Sequence, residues 1–198
     1  NASPSISTQY KVVGTDVNGC QDSSYTTISV NPLPVLNIIG SNMTCEGQSV
    51  SLLANGAQSY IWFPSIGLDT TAGSTVIANP SSSQTYTIVG SDLNQCQNST
   101  SFTLSVLASP NISINTSADS ICIGDISMIT ASGALTYNWT PSASLNTSTG
   151  SVVSAMPSLA TTYSVLGTGP NNCSSTSFVT IYVNPLPILS VIPNDTTI

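Results

Sequence analysis

Three copies of one sequence pattern run through this chain, spaced first 76 and then 77 residues apart. Each copy places a Tyr, a Gly, a Cys, a Val and a Pro in the same order and at nearly the same spacing. The recurring positions are Tyr10, Gly14, Cys20, Val30 and Pro34; Tyr86, Gly90, Cys96, Val106 and Pro110; and Tyr163, Gly167, Cys173, Val183 and Pro187. A period of this length predicts an array of one small module.

The middle and last copies define the length of that module. Residues 45–110 align with residues 122–187 without a gap, and the 25 identical positions among these 66 set the boundaries. We predict the C-terminal part of a truncated copy at 1–33, complete copies at 34–109 and 110–186, and the start of a further copy at 187–198. The sequence is therefore expected to be a window from a longer array.

The charge composition excludes several classes of partner. Eight acidic residues face a single basic one, Lys11, and charged residues make up 5% of the chain, against a usual level of about 25%. Binding a nucleic acid or an anionic lipid surface requires several Lys or Arg side chains. No apolar stretch approaches the length of about 20 residues that crosses a bilayer. We therefore expect no nucleic acid partner and no membrane insertion.

Short runs of alternating apolar and polar residues, separated by Gly, Pro, Asn and Asp, predict strands and no helix. In the middle copy we place strand A at 35–40, B at 49–54, C at 59–63, a D/E region ending at 74–78, F at 84–91 and G at 101–107. Such short strands, with a Trp on C and a Tyr at the start of F, are typical of immunoglobulin-like sandwiches. We predict an all-β chain of tandem immunoglobulin-like antiparallel β-sandwich repeats, each of about 77 residues.

Aromatic residues recur at the positions that face the interior of such a sandwich. The predicted core positions are Tyr60, Trp62 and Tyr86 in the middle copy and Tyr137, Trp139 and Tyr163 in the last copy. An alternative is that Tyr60 and Trp62 form a platform on which a sugar stacks. Because these residues recur in both complete copies, we prefer the core interpretation.

The cysteines occupy two positions in the module. Cys45 and Cys122 lie in the A–B connection, whereas Cys20, Cys96 and Cys173 lie in the F to G hairpin. Proximity in sequence suggests the pairs Cys45 with Cys96 and Cys122 with Cys173. In an immunoglobulin-like order, however, these two loops lie at opposite ends of the sandwich, roughly 20 to 25 Å apart, and a disulfide needs Cα atoms within about 7 Å.

The alternative pairing joins neighbouring modules. The end of one copy that carries Cys45 would meet the end of the next copy that carries Cys173, so a disulfide between them would staple the seam. The partner of Cys20 would then lie outside the sequence. Both pairings, and free thiols, remain open from the residues alone. Spaced cysteines beside a surface rich in Ser and Thr favour an oxidising, extracytoplasmic setting.

Catalysis and metal binding have few candidates. The chain has no His and a single Lys, so its serines lack the usual activating partners, and zinc lacks a ligand set. Asp16 and Asp92 at the F to G tips offer oxygen ligands to calcium. The last copy has no carboxylate there, which favours turn chemistry instead. We predict no catalytic residue, no metal site, no cofactor and no enzymatic activity.

Several spaced motifs recur in both complete copies. Cys-x-Gly is followed by Ala-x-Gly-Ala-x-x-Tyr-x-Trp-x-Pro-Ser-x-x-Leu at 54–68 and 131–145, by Thr-Tyr-x-x-x-Gly at 85–90 and 162–167, and by Asn-x-Cys. This pattern resembles the tandem immunoglobulin-like or PKD-like repeats of very large surface proteins of Bacteroidota, including gliding-motility-associated adhesins exported by type IX secretion. The resemblance also implies O-glycosylation where Asp is followed by Ser or Thr and then by a small or apolar residue, at Thr70, Ser120 and Thr196. The alternative is that these residues only form turns and strand edges.

Together these features predict a structural stalk or fibre segment of a long secreted or cell-surface adhesin or filament. Its expected partners are the neighbouring repeats of the same chain and other copies of the fibre. Two other hypotheses remain. One is a multivalent module that binds a glycan or a surface through its exposed loops. The other is a spacer attached to a secreted hydrolase.

Overall fold

The computed structural model describes residues 1–190, and within them the chain is all-β. It divides into two compact units, Asn1–Val106 and the part from Leu107 onward. The first unit contains residues 1–33, for which we keep the name truncated copy given to them by the sequence prediction, and the middle copy; the second unit contains the last copy. Of the segment predicted to begin a further copy, 187–198, only residues up to 190 are described.

The truncated copy is a two-stranded hairpin. Strands β1 (Thr8–Thr15) and β2 (Gln21–Ile28) pair antiparallel, from Thr8 opposite Ile28 to Thr15 opposite Gln21. They form a sheet of two strands, and nearly all of their residues are exposed. The hairpin corresponds to strands F and G of a complete copy.

The middle copy is a sandwich of a three-stranded and a four-stranded sheet. The first has the order β3 (Asn37–Ile39), β5 (Val50–Asn55) and β7 (Thr75–Ala78); the second has the order β4 (Met43–Cys45), β9 (Gln97–Leu107), β8 (Gln84–Ser91) and β6 (Ser59–Phe63). The first sheet corresponds to predicted strands A and B and the end of the D/E region, and the second corresponds to strands G, F and C together with β4. The predicted all-β, immunoglobulin-like sandwich is therefore confirmed.

The last copy repeats this arrangement. One sheet has the order β10 (Ser113–Thr116), β12 (Ser127–Ser132) and β14 (Val152–Ala155); the other has the order β11 (Ser120–Cys122), β16 (Ser174–Asn184), β15 (Thr161–Thr168) and β13 (Thr136–Thr140). Strand β11 runs parallel to β16, and the other pairs are antiparallel.

Two strands differ from the prediction. Strand A, expected at 35–40, is β3 at Asn37–Ile39, and it is followed by an unpredicted strand, β4, which joins the other sheet. A Cβ placed on Gly40 would lie 2.6 Å from Cδ2 of Leu52, so a glycine lets the chain pass over the core as it changes sheets. Strand G begins at Gln97, four residues before the predicted start, because its polar first residues continue the ladder with β8.

Each sandwich has its own apolar core. In β5 the side chains alternate, with Leu52 and Ala54 buried and Leu53 exposed. All six aromatic residues placed in the core by the sequence are buried there: Tyr60, Trp62, Tyr86, Tyr137, Trp139 and Tyr163. Their polar atoms have partners, since the indole Nε1 of Trp62 donates to the Gly73 carbonyl at 3.0 Å and that of Trp139 to the Gly150 carbonyl at 3.0 Å. A buried indole cannot stack on a sugar, which argues against the platform.

Candidate functional site: the two poles of the module

The A–B turn carries one cysteine of each complete copy. The Cys45 carbonyl accepts a hydrogen bond from the Gln48 amide at 3.0 Å. Gly47, two residues after the cysteine, has φ +78°, and a turn closed in this way with positive φ at its third position requires glycine. In the last copy the Cys122 carbonyl accepts from the Asp125 amide, also at 3.0 Å. We call this end of each sandwich the A–B pole.

The F to G tip carries the other cysteine and defines the F–G pole. In the middle copy, Oδ1 of Asp92 accepts from the backbone amides two and four residues later, at 2.8 and 2.9 Å. In the truncated copy, Oδ1 of Asp16 does the same at 2.9 and 2.8 Å. These carboxylates close an Asx-type turn that presents the cysteine at its end.

The last copy builds the same tip without a carboxylate. Oδ1 of Asn171 accepts from the Cys173 amide at 3.1 Å, and the Gly169 amide donates to the Cys173 carbonyl at 2.8 Å. The carboxamide therefore replaces the carboxylate as the acceptor, as turn chemistry requires and calcium ligation would not. Among residues 1–190, no three His, Cys, Asp or Glu side chains lie close enough together to hold a metal ion.

The F–G pole also anchors the segment by which the chain enters each sandwich. Nδ2 of Asn98 donates to the Pro34 carbonyl at 2.9 Å. At the equivalent place in the last copy, the Ser175 hydroxyl donates to the Pro110 carbonyl, and Nδ2 of Asn171 donates to the Ala108 carbonyl at 2.9 Å. The entering segment, the first residues of strand G and the cysteine-bearing tip are thus held together.

The two cysteine positions of one copy lie at opposite poles. Cys122 pairs with Asn184 at the end of β16, whereas Cys173 immediately precedes the first residue of that strand. A strand of 11 residues separates these positions by roughly 35 Å, far beyond the reach of about 7 Å that a disulfide allows. The topology therefore forbids a bond between Cys122 and Cys173.

The thiols follow this geometry. Cys45 and Cys173 are both disulfide-bonded, whereas Cys20, Cys96 and Cys122 are free. Neither of the two pairs expected within a module, Cys45 with Cys96 or Cys122 with Cys173, is formed.

An apolar groove of about 680 Å³ lies at the A–B pole of the last copy. It is bordered by residues next to the start of β12, the end of β13, the end of β14 and the start of β15. Its most exposed apolar residues are Ile126 (59%), Met156 (54%) and Leu159 (76%). Sequence analysis did not identify this groove. The available signal was that the middle copy has the polar residues Ser49, Asn79 and Ser82 at these positions.

The positions at which O-glycosylation is implied are only partly described. Thr70 is exposed, and its amide is held by Oδ1 of Asp69 at 2.8 Å. Ser120 is also exposed, and its hydroxyl accepts a hydrogen bond from Nδ2 of Asn184 at 2.9 Å. Thr196 lies outside the described residues. Modification at these positions stays a prediction.

No helix in residues 1–190 has the length and hydrophobicity that crossing a bilayer requires.

Comparisons with known proteins give structural likenesses only. No protein-family model matches the chain, and no curated protein matches it in sequence. Among solved structures, murine CEACAM1b matches with a TM-score of 0.35 and 13% identity, over 77% of this chain and 100% of that one. The C-terminal 282-residue fragment of intimin, in complex with the intimin-binding domain of its translocated receptor, matches with a TM-score of 0.46 and 11% identity, over 77% and 64%. A Ca²⁺-stabilised ice-binding adhesin of an Antarctic bacterium matches with a TM-score of 0.37 and 10% identity, over 90% and 57%.

Proposed function

We propose that this chain is a stalk segment of a long secreted or cell-surface adhesin or filament, in which each module is stapled to the next by a disulfide. The proposed staple in this chain is Cys45 with Cys173, which joins the A–B pole of the middle copy to the F–G pole of the last copy. The observation that carries the proposal is the state of the cysteines. These two are disulfide-bonded, and the other three are free.

The staple explains why the cysteines occupy the two poles. A disulfide within a sandwich would reinforce that sandwich, but the 11 residues of β16 keep the two positions apart. A disulfide between poles instead bypasses the interior of both sandwiches. Tension applied to the ends of the chain then passes from Cys45 to Cys173 through the sulfur atoms, and the strands between them are shielded from force. This is the property a stalk under tension needs.

Non-reducing peptide mapping tests the pairing. The expected result is one linked peptide pair that contains Cys45 and Cys173 and disappears on reduction. A linked pair containing Cys45 and Cys96, or Cys122 and Cys173, would refute the staple. The variant with Cys20→Ala is the matched control, since removing that free thiol should leave the map unchanged.

Single-molecule stretching tests the mechanical role. Cys45 and Cys173 are separated by 128 Cα-to-Cα steps along the chain, which span roughly 450 Å when extended at about 3.5 Å per residue. In the oxidised chain, stretching should not add this length to the contour length. In the reduced chain, the contour length should increase by this amount at the forces that unfold the sandwiches. If both forms release the same length, the disulfide does not carry the tension and the stalk mechanism fails.

The setting and partners follow from the same proposal. A stable disulfide requires an oxidising compartment, which supports an extracellular location. The resemblance to repeats of Bacteroidota surface proteins supports a bacterial cell surface reached by type IX secretion, with O-glycans at Thr70 and Ser120. The partners are the neighbouring repeats of the chain and other copies of the fibre, and the segment itself carries out no catalysis.

A further inference from the structure

Four aromatic side chains lie outside the two cores. Of the 2 Trp, 7 Tyr and 3 Phe residues in the chain, six are the buried core aromatics, Phe102 packs against the core of the middle copy, and Tyr10 occupies in the hairpin the position that the buried Tyr86 occupies in the middle copy. The other four are between 52% and 67% exposed, and they are Tyr25, Phe63, Phe178 and Tyr182.

All four point away from the core on the sheet that contains strands F and G. Phe63 follows the buried Trp62 on β6, so its side chain faces the opposite side of the sheet. On β16, Phe178 and Tyr182 are exposed, whereas the residues that alternate with them are buried or half-buried. These two residues share one face and lie roughly 13 Å apart along the strand. Tyr25 occupies in the hairpin the position of Phe178.

The fold does not require an aromatic residue at these positions. Ser101 and Ser105 stand in the middle copy where the last copy has the two rings of β16, and Thr140 stands in the last copy where the middle copy has Phe63. Both copies nevertheless form the same pair of sheets. Packing therefore does not explain the rings, and exposed apolar surface of this kind marks a site of interaction.

Hydroxyl groups surround the rings. Thr180, between the two rings on β16, shares a hydrogen bond of 2.7 Å with Thr162 on β15. Thr87, which pairs with Phe63 across β6 and β8, shares one of 3.0 Å with Ser101. The eight strands of the two four-stranded sheets, all within the described residues, contain no charged residue. The face thus offers flat apolar rings and hydroxyl groups without an ionic partner.

We propose that the outer face of the four-stranded sheet binds a neutral polysaccharide, whose sugar rings stack on Phe178 and Tyr182 in the last copy and on Phe63 in the middle copy. The proposal goes beyond the stalk function, because the site lies within single modules. Tyr25 is left out, since Nζ of Lys11 lies over its ring at 5.7 Å from the centroid.

The chemistry of the face selects this ligand. One side of a pyranose ring presents C–H groups, which the negative face of an aromatic ring attracts, and its hydroxyls can exchange hydrogen bonds with the surrounding Ser and Thr. An anionic ligand would meet a chain of net charge −7 with one basic residue, so electrostatic repulsion disfavours it. A nucleic acid would also stack on the rings, but its phosphates need basic groups.

Native affinity electrophoresis of the full chain tests the site. One set of gels contains a neutral polysaccharide, which is xyloglucan, galactomannan or laminarin, and a parallel gel contains the polyanion alginate. We expect at least one neutral polymer to retard the chain in proportion to its concentration, and alginate to leave the mobility unchanged. If none of the neutral polymers retards the chain, or if alginate retards it equally, the proposal is overturned.

Substitutions taken from the other copy test the rings while keeping residues that the fold accepts. Phe63→Thr, Phe178→Ser and Tyr182→Ser combined should raise the dissociation constant obtained from the retardation roughly tenfold. Tyr182→Phe keeps the ring and should leave binding close to that of the unsubstituted chain. Undiminished retardation of the triple variant would show that the rings do not bind the polymer.

The matched control lies on the outer face of the other sheet. Met128→Ser with Val152→Thr removes two exposed apolar side chains from β12 and β14 and installs the residues that the middle copy has there, Ser51 and Thr75. Retardation should not change. A loss equal to that of the triple variant would indicate unspecific apolar adhesion and would rule out the site.

Two further measurements separate this proposal from its alternatives. If, in sedimentation without polysaccharide, the unsubstituted chain self-associates and the triple variant stays at the 20.3 kDa monomer mass, the face binds a second copy of the chain and the proposal fails. Reduction should leave retardation unchanged, because the site does not depend on the staple. A peptide map without a bond between Cys45 and Cys173 would refute the staple alone.

Discussion

Gly90 in strand β8 is a position at which one added methyl group should destabilise the middle copy, while the same change at the equivalent position of the truncated copy should not lower stability. A Cβ at Gly90 would lie 2.5 and 3.1 Å from the methyl carbons of Leu36 and 2.9 Å from Cβ of Ala57, whereas carbon atoms pack at about 3.5 to 4.0 Å. Leu36 can turn its side chain away. Ala57 cannot, because its amide and its carbonyl are both hydrogen-bonded to the Tyr60 hydroxyl, at 2.7 and 2.8 Å.

Gly90→Ala should therefore destabilise the middle sandwich. Overpacking a core costs about 1 to 3 kcal/mol, and replacing glycine in a strand returns roughly 0.5 to 1 kcal/mol, so the net loss lies between about 0 and 2.5 kcal/mol and centres near about 1 kcal/mol. The matched control is Gly14→Ala at the same position of the truncated copy, where the added Cβ would have no atom within 4 Å. That change should be neutral or slightly stabilising.

Hydrogen exchange measured by mass spectrometry gives the opening free energy of each sandwich separately. Amides of β8 report on the middle copy, and amides of β15 in the last copy serve as the internal reference. Gly90→Ala should lower the protection of β8 and leave that of β15 unchanged. If it leaves β8 protected, or if Gly14→Ala costs as much stability, the hairpin and the sandwich do not differ in packing as described.

Two further substitutions test the polar contacts of the middle copy. Burial raises the pKa of the Tyr86 phenol. The stability that comes from its neutral form is therefore complete below the usual pKa of about 10 and is lost as the pH rises through the raised value in the folded state. Tyr86→Phe should flatten the alkaline loss of stability measured by urea unfolding, whereas Tyr25→Phe, at a 58% exposed site, should not. Asp69→Ala removes the carboxylate that accepts hydrogen bonds from the Thr70 and Ile77 amides at 2.8 and 2.7 Å, and it should cost about 1 kcal/mol of stability in the same assay. Asp69→Asn should be tolerated, because Asn146 accepts the equivalent hydrogen bond in the last copy. Equal losses for both variants would show that the charge matters and the hydrogen bonds do not.

The period and the alternation of apolar residues were sufficient to predict the sandwich, because they depend on local pattern. The change of sheet after strand A, where the additional strand β4 begins, was not predictable in this way. It depends on the close approach of Gly40 to Leu52, a contact between residues that the sequence alone does not bring together. The extra residues of strand G were missed for a similar reason, since Asn98 and its neighbours are polar and become a strand through pairing with β8.

The cysteine positions show where sequence reasoning reaches its limit. The predicted order of strands placed Cys45 and Cys96 at opposite poles, which spoke against a bond within the module but left it open under another strand order. The residues alone could not show which thiols are oxidised. The groove was missed because Ile126, Met156 and Leu159 are far apart in sequence and meet only where four strands begin or end.

The differences between the copies are as informative as the identities. The identical positions include the buried Trp62 with Trp139 and Tyr86 with Tyr163, so the core is the same in both sandwiches. The poles differ, since Ser49, Asn79 and Ser82 of the middle copy replace Ile126, Met156 and Leu159, whereas Ile66 and Ile77 replace Ala143 and Ser154. A core must satisfy the same packing in every module, whereas exposed residues at a pole are under no such constraint. The two complete copies can therefore share one fold and still present different surfaces at their poles.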